Sequence, residues 1–175
     1  AGGPHPQEWI ITKAQETAHR LHRDQVRKSG GLPYISHLEN VANIVASYVA
    51  DPEIIAAAYL HDTLEDTSYK PSQLKADFGA RVLRLVQSVT KPNKDIKAYL
   101  ANIANADTAL IAGADKLDNT RGMREVTDWS VFNYSPIEKV RQYRLVSHKV
   151  AAYWPDLAKE IDRQLSLVEK RLLPL

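Results

Sequence analysis

The sequence predicts an all-α domain, and three features of the chain support this class. Apolar residues recur every three or four positions in nearly every segment, as on the buried face of a helix. Most prolines and glycines fall between these segments. No pair of alternating apolar segments flanks a two-residue turn, so no β-hairpin is expected. With 175 residues, the chain suits one domain with a single hydrophobic core.

The helices can be placed in order from their apolar faces and their end signals. Asp51 and Pro52 form an N-cap followed by a proline at the first helical position, and Gly79 is a stop signal. Asp95 and Asp107 are expected to cap two further helices. The expected spans are 9–21, 38–49, 53–60, 71–78, 80–89, near 96–105, near 108–120, 136 to a break at 154–155, and from there to about 173.

The remaining segments are expected to be irregular. The basic stretch 27–33 is broken by two glycines and a proline, residues 61–69 leave the third helix, and residues 122–135 show no helical period. Residues 1–7 are expected to be a disordered N-terminus or a cloning remnant, which leaves 8–175 as the domain. The three tryptophans are expected to serve packing: Trp9, Trp129 and Trp154.

Composition and charge narrow the class of partner. Hydrophobic residues make up 44% and charged residues 25%, an ordinary globular balance. A net charge of +2 is too small to indicate nucleic-acid binding but suits a polyanionic small molecule. Cysteine is absent, so disulfides and thiolate metal sites are excluded, and a cytoplasmic location is expected. No apolar run approaches ~18 residues, so no membrane span is expected.

Four residues are candidate metal ligands: His37, the adjacent pair His61 and Asp62, and Asp115. Each lies at or near the end of an apolar helical segment. Neutral imidazole with carboxylate suits Mn²⁺, Fe²⁺, Co²⁺ or Zn²⁺ and leaves coordination positions open, as in a catalytic site. The apolar run 56–60 precedes the His-Asp pair, so both groups are expected to be buried. Burying them is costly without a partner, and a metal ion supplies one.

A single His-Asp dipeptide is weak evidence, because most histidines are ordinary core or surface residues. Several ordered motifs surround this pair, and together they are far more specific. They are Ala18-x-x-x-His22-x-x-Gln25-x-Arg27-Lys28, Pro33-Tyr-Ile-Ser-His37, Leu60-His-Asp-Thr-Leu-Glu-Asp-Thr67, Phe78-Gly79 with Leu85-Val-Gln-Ser-Val-Thr-Lys91, and Asp115-Lys-Leu-Asp-Asn119. In order and spacing, residues 14–120 resemble the RelA/SpoT-homologue hydrolases of the HD superfamily, in their small single-domain form.

This resemblance implies an HD-domain helical bundle of about eight to ten helices. It implies that the four candidate ligands bind Mn²⁺, and that the chain hydrolyses the 3′-pyrophosphate of the guanosine alarmones ppGpp and pppGpp to GDP or GTP and pyrophosphate. Glu65 and Asp66 follow the ligand pair by about one helical turn. Outside this context they suggest an acidic surface turn; within it, they are the expected catalytic residues, one of which takes a proton from the attacking water.

Six residues are the candidate substrate contacts: Arg27, Lys28, Lys116, Asn119, Arg121 and Tyr143. Arginine can stack on a purine, and arginine and lysine both neutralise phosphate. Two departures from the resemblance affect these assignments. The basic loop is one residue longer at 30–32, and the family's Lys-Leu-Ala-Asp becomes Ala-Gly-Ala-Asp at 112–115, which removes a lysine.

Two alternative functions remain open. One is an HD phosphohydrolase for another nucleotide, such as (p)ppApp, NADPH or a nucleoside monophosphate, with the same metal chemistry and a different pocket. The other is a non-catalytic nucleotide-binding regulatory module, against which the complete ligand set and acidic pair argue. A synthetase is not expected, because about 55 residues follow the hydrolase-like region and such a domain needs ~100. Neither the preferred purine nor the oligomeric state is specified.

Overall fold

A computed structural model describes residues 8–91 and 95–173. Helices account for all the regular structure in these ranges, with one isolated bridge between Val26 and Pro33, and the all-α prediction is confirmed. The helices are α1 (Glu8–Leu21), α2 (Ile35–Tyr48), α3 (Pro52–Leu60), α4 (Thr63–Asp66), α5 (Pro71–Phe78), α6 (Ala80–Val89), α7 (Ile96–Asn102), α8 (Ala106–Met123), α9 (Pro136–Ala151) and α10 (Pro155–Leu172). A short 3₁₀ turn covers Trp129–Val131.

Most end signals act as predicted, and one does not. The side chains of Asp51 and Asp95 accept hydrogen bonds from the first turns of α3 and α7, as expected. Asp107 was expected to cap α8, but Asn105 does so, since its backbone is extended and its side chain accepts from Thr108 N at 2.9 Å. Asp107 is already helical and lies in the first turn, where its negative charge interacts favourably with the positive end of the helix dipole.

The core is built on two central helices, α3 and α8. Every residue of α3 from 54 to 60 is buried, because this helix packs against α1, α2 and α6. α8 packs against α2, α9 and α10. Gly113 permits the approach of α10, since a Cβ there would lie 2.7 Å from a methyl carbon of Leu157. α2 therefore lies against both central helices, and the candidate ligands lie on α2, on α8 and directly after the end of α3.

The tryptophans divide into three environments. Trp154 is partly buried and donates to Ala106 O at 2.7 Å, and Trp129 packs at the edge of the core. Trp9 was expected to pack, but it is 61% exposed, because α1 begins there at the protein surface. Residues 1–7, expected to be disordered, lie outside the described residues. Within the described ranges, no helix is both long and apolar enough to cross a membrane.

Candidate active site

The four predicted ligands meet at one point. His37 is in the first turn of α2, His61 directly follows α3, Asp62 precedes α4, and Asp115 is in the middle of α8. One ligand atom from each lies within 4.8 Å of the others. Nε2 of His37 and Nε2 of His61 lie 2.9 and 3.1 Å from Asp115 Oδ1. Nε2 of His61 lies 3.1 Å from Asp62 Oδ2, so two nitrogens and two carboxylates converge.

Both imidazoles are oriented by a hydrogen bond to the other ring nitrogen. His61 Nδ1 lies 2.7 Å from Ala58 O, and His37 Nδ1 lies 2.7 Å from Asp118 Oδ2. An Nδ1–H donor leaves the Nε2 lone pair free, which is the arrangement that metal-binding histidines adopt. Each Nε2 points at the cluster. The residues therefore fit a divalent metal ion in donor type, orientation and spacing.

Attraction between the imidazoles and the carboxylates determines the protonation states of this cluster. Burial lowers the pKa of His61, but the carboxylates of Asp62 and Asp115 more than reverse this and hold it well above its ordinary value. Burial raises the pKa of Asp115, but Lys116 and the two histidines hold it well below its usual range. The carboxylates are thus ready to bind a cation, and metal binding must displace protons from the imidazoles.

A second layer of residues holds the ligands in place. Asp118, which orients His37, also accepts from Arg27 Nη1 at 3.0 Å and from Asn40 Nδ2 at 3.0 Å. Arg27 is 10% exposed in its side chain, so this ion pair is largely buried behind the histidine. The Tyr34 hydroxyl donates to Asp62 Oδ2. Asp118, Asn40 and Tyr34 were not predicted, although Asp118 lies three residues after Asp115 and so shares its helix face.

α8 supplies two more groups around Asp115. Lys116 Nζ lies 2.7 Å from Asp115 Oδ2, and Asn119 Nδ2 donates to Asp115 Oδ1 at 3.3 Å. The Lys116 ammonium also lies 4.9 and 5.4 Å from the ring centroids of Tyr99 and Tyr143. Burial lowers the pKa of Lys116, but Asp115 and these rings raise it well above its ordinary value. A permanent positive charge therefore stands beside the ligand cluster.

The acidic pair Glu65 and Asp66 lies on α4, directly after the ligand pair. Glu65 Oε1 accepts from the backbone N–H of Lys91, which fixes that carboxylate. Solvent reaches Asp66, but partial burial and the charges of Asp62 and Glu65 raise its pKa to about 6. Gln25 Nε2 donates to the backbone carbonyl of Asp66 at 3.0 Å. The pair thus combines one anchored carboxylate with one whose pKa lies close to neutrality.

A cavity of about 470 Å³ adjoins the ligand cluster. Tyr34 and Asn119, which contact two of the ligands, form the metal end of its lining. Of the candidate substrate contacts, four line the cavity: Arg27, Lys28, Asn119 and Tyr143. Lys116 stands at the metal end beside Tyr143. Arg121 does not line it; its Nη2 lies 3.8 Å from Glu160 on α10, and its side chain is 46% exposed.

The sequence profile of the HD domain family matches residues 14–161. This range holds the whole ligand cluster and its supporting residues. The chain belongs to the HD domain family.

Relatives of this HD domain include proteins of two sizes. The human guanosine-3′,5′-bis(diphosphate) 3′-pyrophosphohydrolase MESH1 is 36% identical over 132 residues, which cover 69% of this chain and 74% of MESH1. A GTP pyrophosphokinase of Streptomyces coelicolor is 39% identical over 125 residues, 65% of this chain. The chain spans only 15% of that longer bacterial protein. A solved structure described as a metazoan SpoT orthologue that hydrolyses ppGpp aligns with a TM-score of 0.81 and 25% identity, covering 99% of this chain and 100% of that one.

An aromatic part of the HD-domain cavity lining was missed by sequence reasoning. It is formed by Trp129, Phe132, Tyr134 and Lys139, from the loop before α9 and the start of that helix. The stretch 122–135 was interpreted as irregular, and Trp129 was assigned to packing only. A signal was present, since three aromatic residues fall within six positions of a polar loop, and such density in a loop indicates a binding surface.

Proposed function

We propose that this HD domain is a metal-dependent phosphohydrolase that removes the 3′-pyrophosphate of guanosine alarmones. The products are GDP from ppGpp or GTP from pppGpp, together with pyrophosphate. One observation carries the proposal: a complete and oriented His/Asp cluster is joined, through Tyr34 and Asn119, to a cavity lined by cations and aromatic rings. The names of the MESH1 relatives, and the similarity to a structure described as hydrolysing ppGpp, support this substrate class.

The metal proposed for the cluster is Mn²⁺, held by His37, His61, Asp62 and Asp115. Two imidazoles and two carboxylates suit that ion and leave positions open for oxygen donors. When bound, such an ion acts as a Lewis acid that acidifies water and polarises a phosphoryl oxygen. Asp118 and Ala58 O set the ring orientations, so the chain presents the donors before the ion arrives.

The acidic pair supplies the proton acceptor in this proposal. Attack by water on the phosphorus bound to the 3′ oxygen forms one P–O bond and breaks the bond from that phosphorus to the 3′ oxygen. Asp66 takes a proton from the water, because its carboxylate is solvent-accessible and its raised pKa suits general-base catalysis. Glu65 is anchored to Lys91 N and positions the turn. The 3′ oxygen receives a proton as GDP or GTP leaves.

Positive charge around the cavity suits a substrate with several phosphates. Lys116 stands beside Asp115, and Lys28 and Lys139 line the cavity. Burial together with the like charges of Lys91 and Lys116 lowers the pKa of Lys139, as expected where several ammonium groups face one another. A polyphosphate placed among them relieves that repulsion. This cation group favours a bisdiphosphate over a substrate with a single phosphate.

Product analysis of the metal-loaded protein tests the proposal. Incubation with guanosine 3′,5′-bisdiphosphate is expected to yield GDP and pyrophosphate in equal amounts, with no release of inorganic phosphate. The His61→Ala variant serves as the inactive control. The adenosine counterpart and a 3′-monophosphate are run in parallel, since they separate the two nearest HD substrate classes. Turnover of the monophosphate with no pyrophosphate from either bisdiphosphate would contradict the proposal.

A further inference from the structure

Three aromatic rings pack against one another in the lining of the cavity. The ring centroids of Trp129 and Phe132 are 5.0 Å apart, those of Phe132 and Tyr134 are 5.3 Å apart, and those of Trp129 and Tyr134 are 6.3 Å apart. All three rings line the cavity and are half-buried. We call these three residues the aromatic wall. Rings this close are in mutual contact, so the wall behaves as one surface.

Hydrogen bonds at both ends hold the segment that carries the wall. Asp128 Oδ1 accepts from Ser130 N at 2.9 Å, which caps the 3₁₀ turn containing Trp129. The Ser135 hydroxyl accepts from Glu138 N and caps α9. Neither of these capping hydrogen bonds involves an aromatic ring. The fold therefore fixes the two ends of the segment while three large aromatic side chains between them remain in contact with open cavity.

A cation stands at the edge of the wall. Lys139 Nζ lies 4.7 Å from the ring centroid of Tyr134, within the range of a cation–π contact. Lys28 lines the same cavity, and Met123 and Val126 are buried beneath it. An apolar floor, an aromatic face and flanking ammonium groups together match a planar base joined to phosphates. An apolar peptide or an uncharged lipid would leave these cations without a partner.

We infer that the aromatic wall is the stacking surface for the purine of the substrate, placed across the cavity from the metal cluster. This inference rests on the proposed nucleotide substrate and adds the residues that recognise its base. Stacking uses the faces of the base and not its hydrogen-bonding edges, so the wall contributes affinity for a purine nucleotide. Its contacts are distant from the reacting phosphorus, and so they act equally on bound substrate and transition state.

Two binding probes separate the base from the phosphates. GDP carries a purine, and inorganic pyrophosphate carries none. Phe132→Leu and Tyr134→Leu, singly and together, are measured by calorimetric titration of the metal-loaded protein with each probe. Stacking on one aromatic face is worth about 1–3 kcal/mol, so the double variant is expected to weaken GDP binding about tenfold or more. Pyrophosphate binding is expected to stay within about twofold, because the cations remain.

A control from the same loop excludes a general effect of loop mutation. Val131 is 69% exposed and does not line the cavity, so Val131→Ala is expected to bind GDP like the unaltered protein. In steady-state kinetics, the wall variants are expected to raise KM with kcat unchanged. If the double variant binds GDP as tightly as Val131→Ala, the inference is wrong. If the variants lose GDP binding but no form hydrolyses the alarmone, the proposed function fails and the wall assignment stands.

Discussion

Arg27 and Asp118 form a buried ion pair, with Nη1 of the arginine 3.0 Å from Oδ2 of the aspartate. The same Oδ2 lies 2.7 Å from Nδ1 of His37. One carboxylate oxygen thus links an arginine of the basic loop to a predicted metal ligand. Arg27 was predicted from the sequence to contact substrate, and it does line the cavity. The ion pair adds a role in orienting His37, which sequence motifs did not indicate.

This linkage predicts that Arg27→Ala weakens metal binding. Without the guanidinium, Asp118 keeps a buried negative charge with fewer hydrogen-bond donors. Its carboxylate is then held less firmly, and so is the His37 ring that it orients. Metal affinity is expected to fall about 10–100-fold, the usual effect of losing a residue that supports a ligand. Titration of the stripped protein with Mn²⁺ measures this. Lys28→Ala is the control, because Lys28 lines the cavity but makes no contact with the ligand cluster. A raised KM with unchanged metal affinity would limit Arg27 to the substrate contact.

Metal removal is expected to abolish activity, and Mn²⁺ is expected to restore it best. A ligand that binds only the folded state also stabilises it, by about 2.7 kcal/mol at a hundred times its Kd. Added Mn²⁺ should therefore raise the Tm of the stripped protein. His61→Ala and Asp62→Ala should lose both the bound metal and this Tm shift. Full turnover by protein shown to be free of metal would contradict the prediction.

The acidic pair is tested by two amide substitutions that preserve shape. Glu65→Gln and Asp66→Asn are both expected to retain metal, because neither carboxylate is a ligand in the cluster. Asp66→Asn should lower kcat by about 10²–10⁴-fold, the usual contribution of a positioned base. Glu65→Gln should also lower kcat, because the amide weakens the anchor to Lys91 N. Metal content and rate are measured on the same samples. Near-normal turnover by Asp66→Asn would exclude it as the base.

The pH dependence follows from Asp66. Burial and the charge of Asp62 raise its pKa to about 6, and only the ionised carboxylate accepts a proton. Activity should therefore be complete above that pKa and fall as pH drops through it. A bound cation offsets the charge of Asp62, which is one cause of the raised pKa of Asp66. The midpoint of the pH profile is therefore expected at about 6 or below. The profile of kcat at saturating metal measures it. An unchanged midpoint in Asp66→Asn, whatever its rate, would assign the titration to another group.

Local sequence explains why the ligands could be predicted and why their supports could not. The alanine-rich run before His61 predicts a buried helix end from neighbouring residues alone. The pairing of Arg27 with Asp118 joins residues 91 positions apart and depends on how the basic loop meets α8. The helical period places Asp118 on the same face of α8 as Asp115, but it does not identify Arg27 as the residue that pairs with it. The aromatic wall was missed because irregular segments carry no period from which to predict orientation.

Gln25, two residues before the basic loop, contacts the acidic pair, and this predicts a separable effect on turnover. Its Nε2 donates to the backbone carbonyl of Asp66 at 3.0 Å, and its Oε1 lies 2.8 Å from Nδ1 of the buried His22. Gln25→Ala removes the bond that holds the end of α4, so Asp66 should lose its fixed position. We expect kcat to fall about tenfold, since one hydrogen bond is worth about 1 kcal/mol or somewhat more.

Two readouts distinguish this positioning role from general damage to the fold. Mn²⁺ affinity and the Tm shift on metal binding should be nearly unchanged in Gln25→Ala, because Gln25 bonds to no metal ligand. Gln25→Glu is the matched variant: it keeps an acceptor for His22 but cannot donate to the Asp66 carbonyl when ionised. It should therefore lose kcat to a similar extent. Normal turnover in both variants would show that α4 holds Asp66 without help from Gln25.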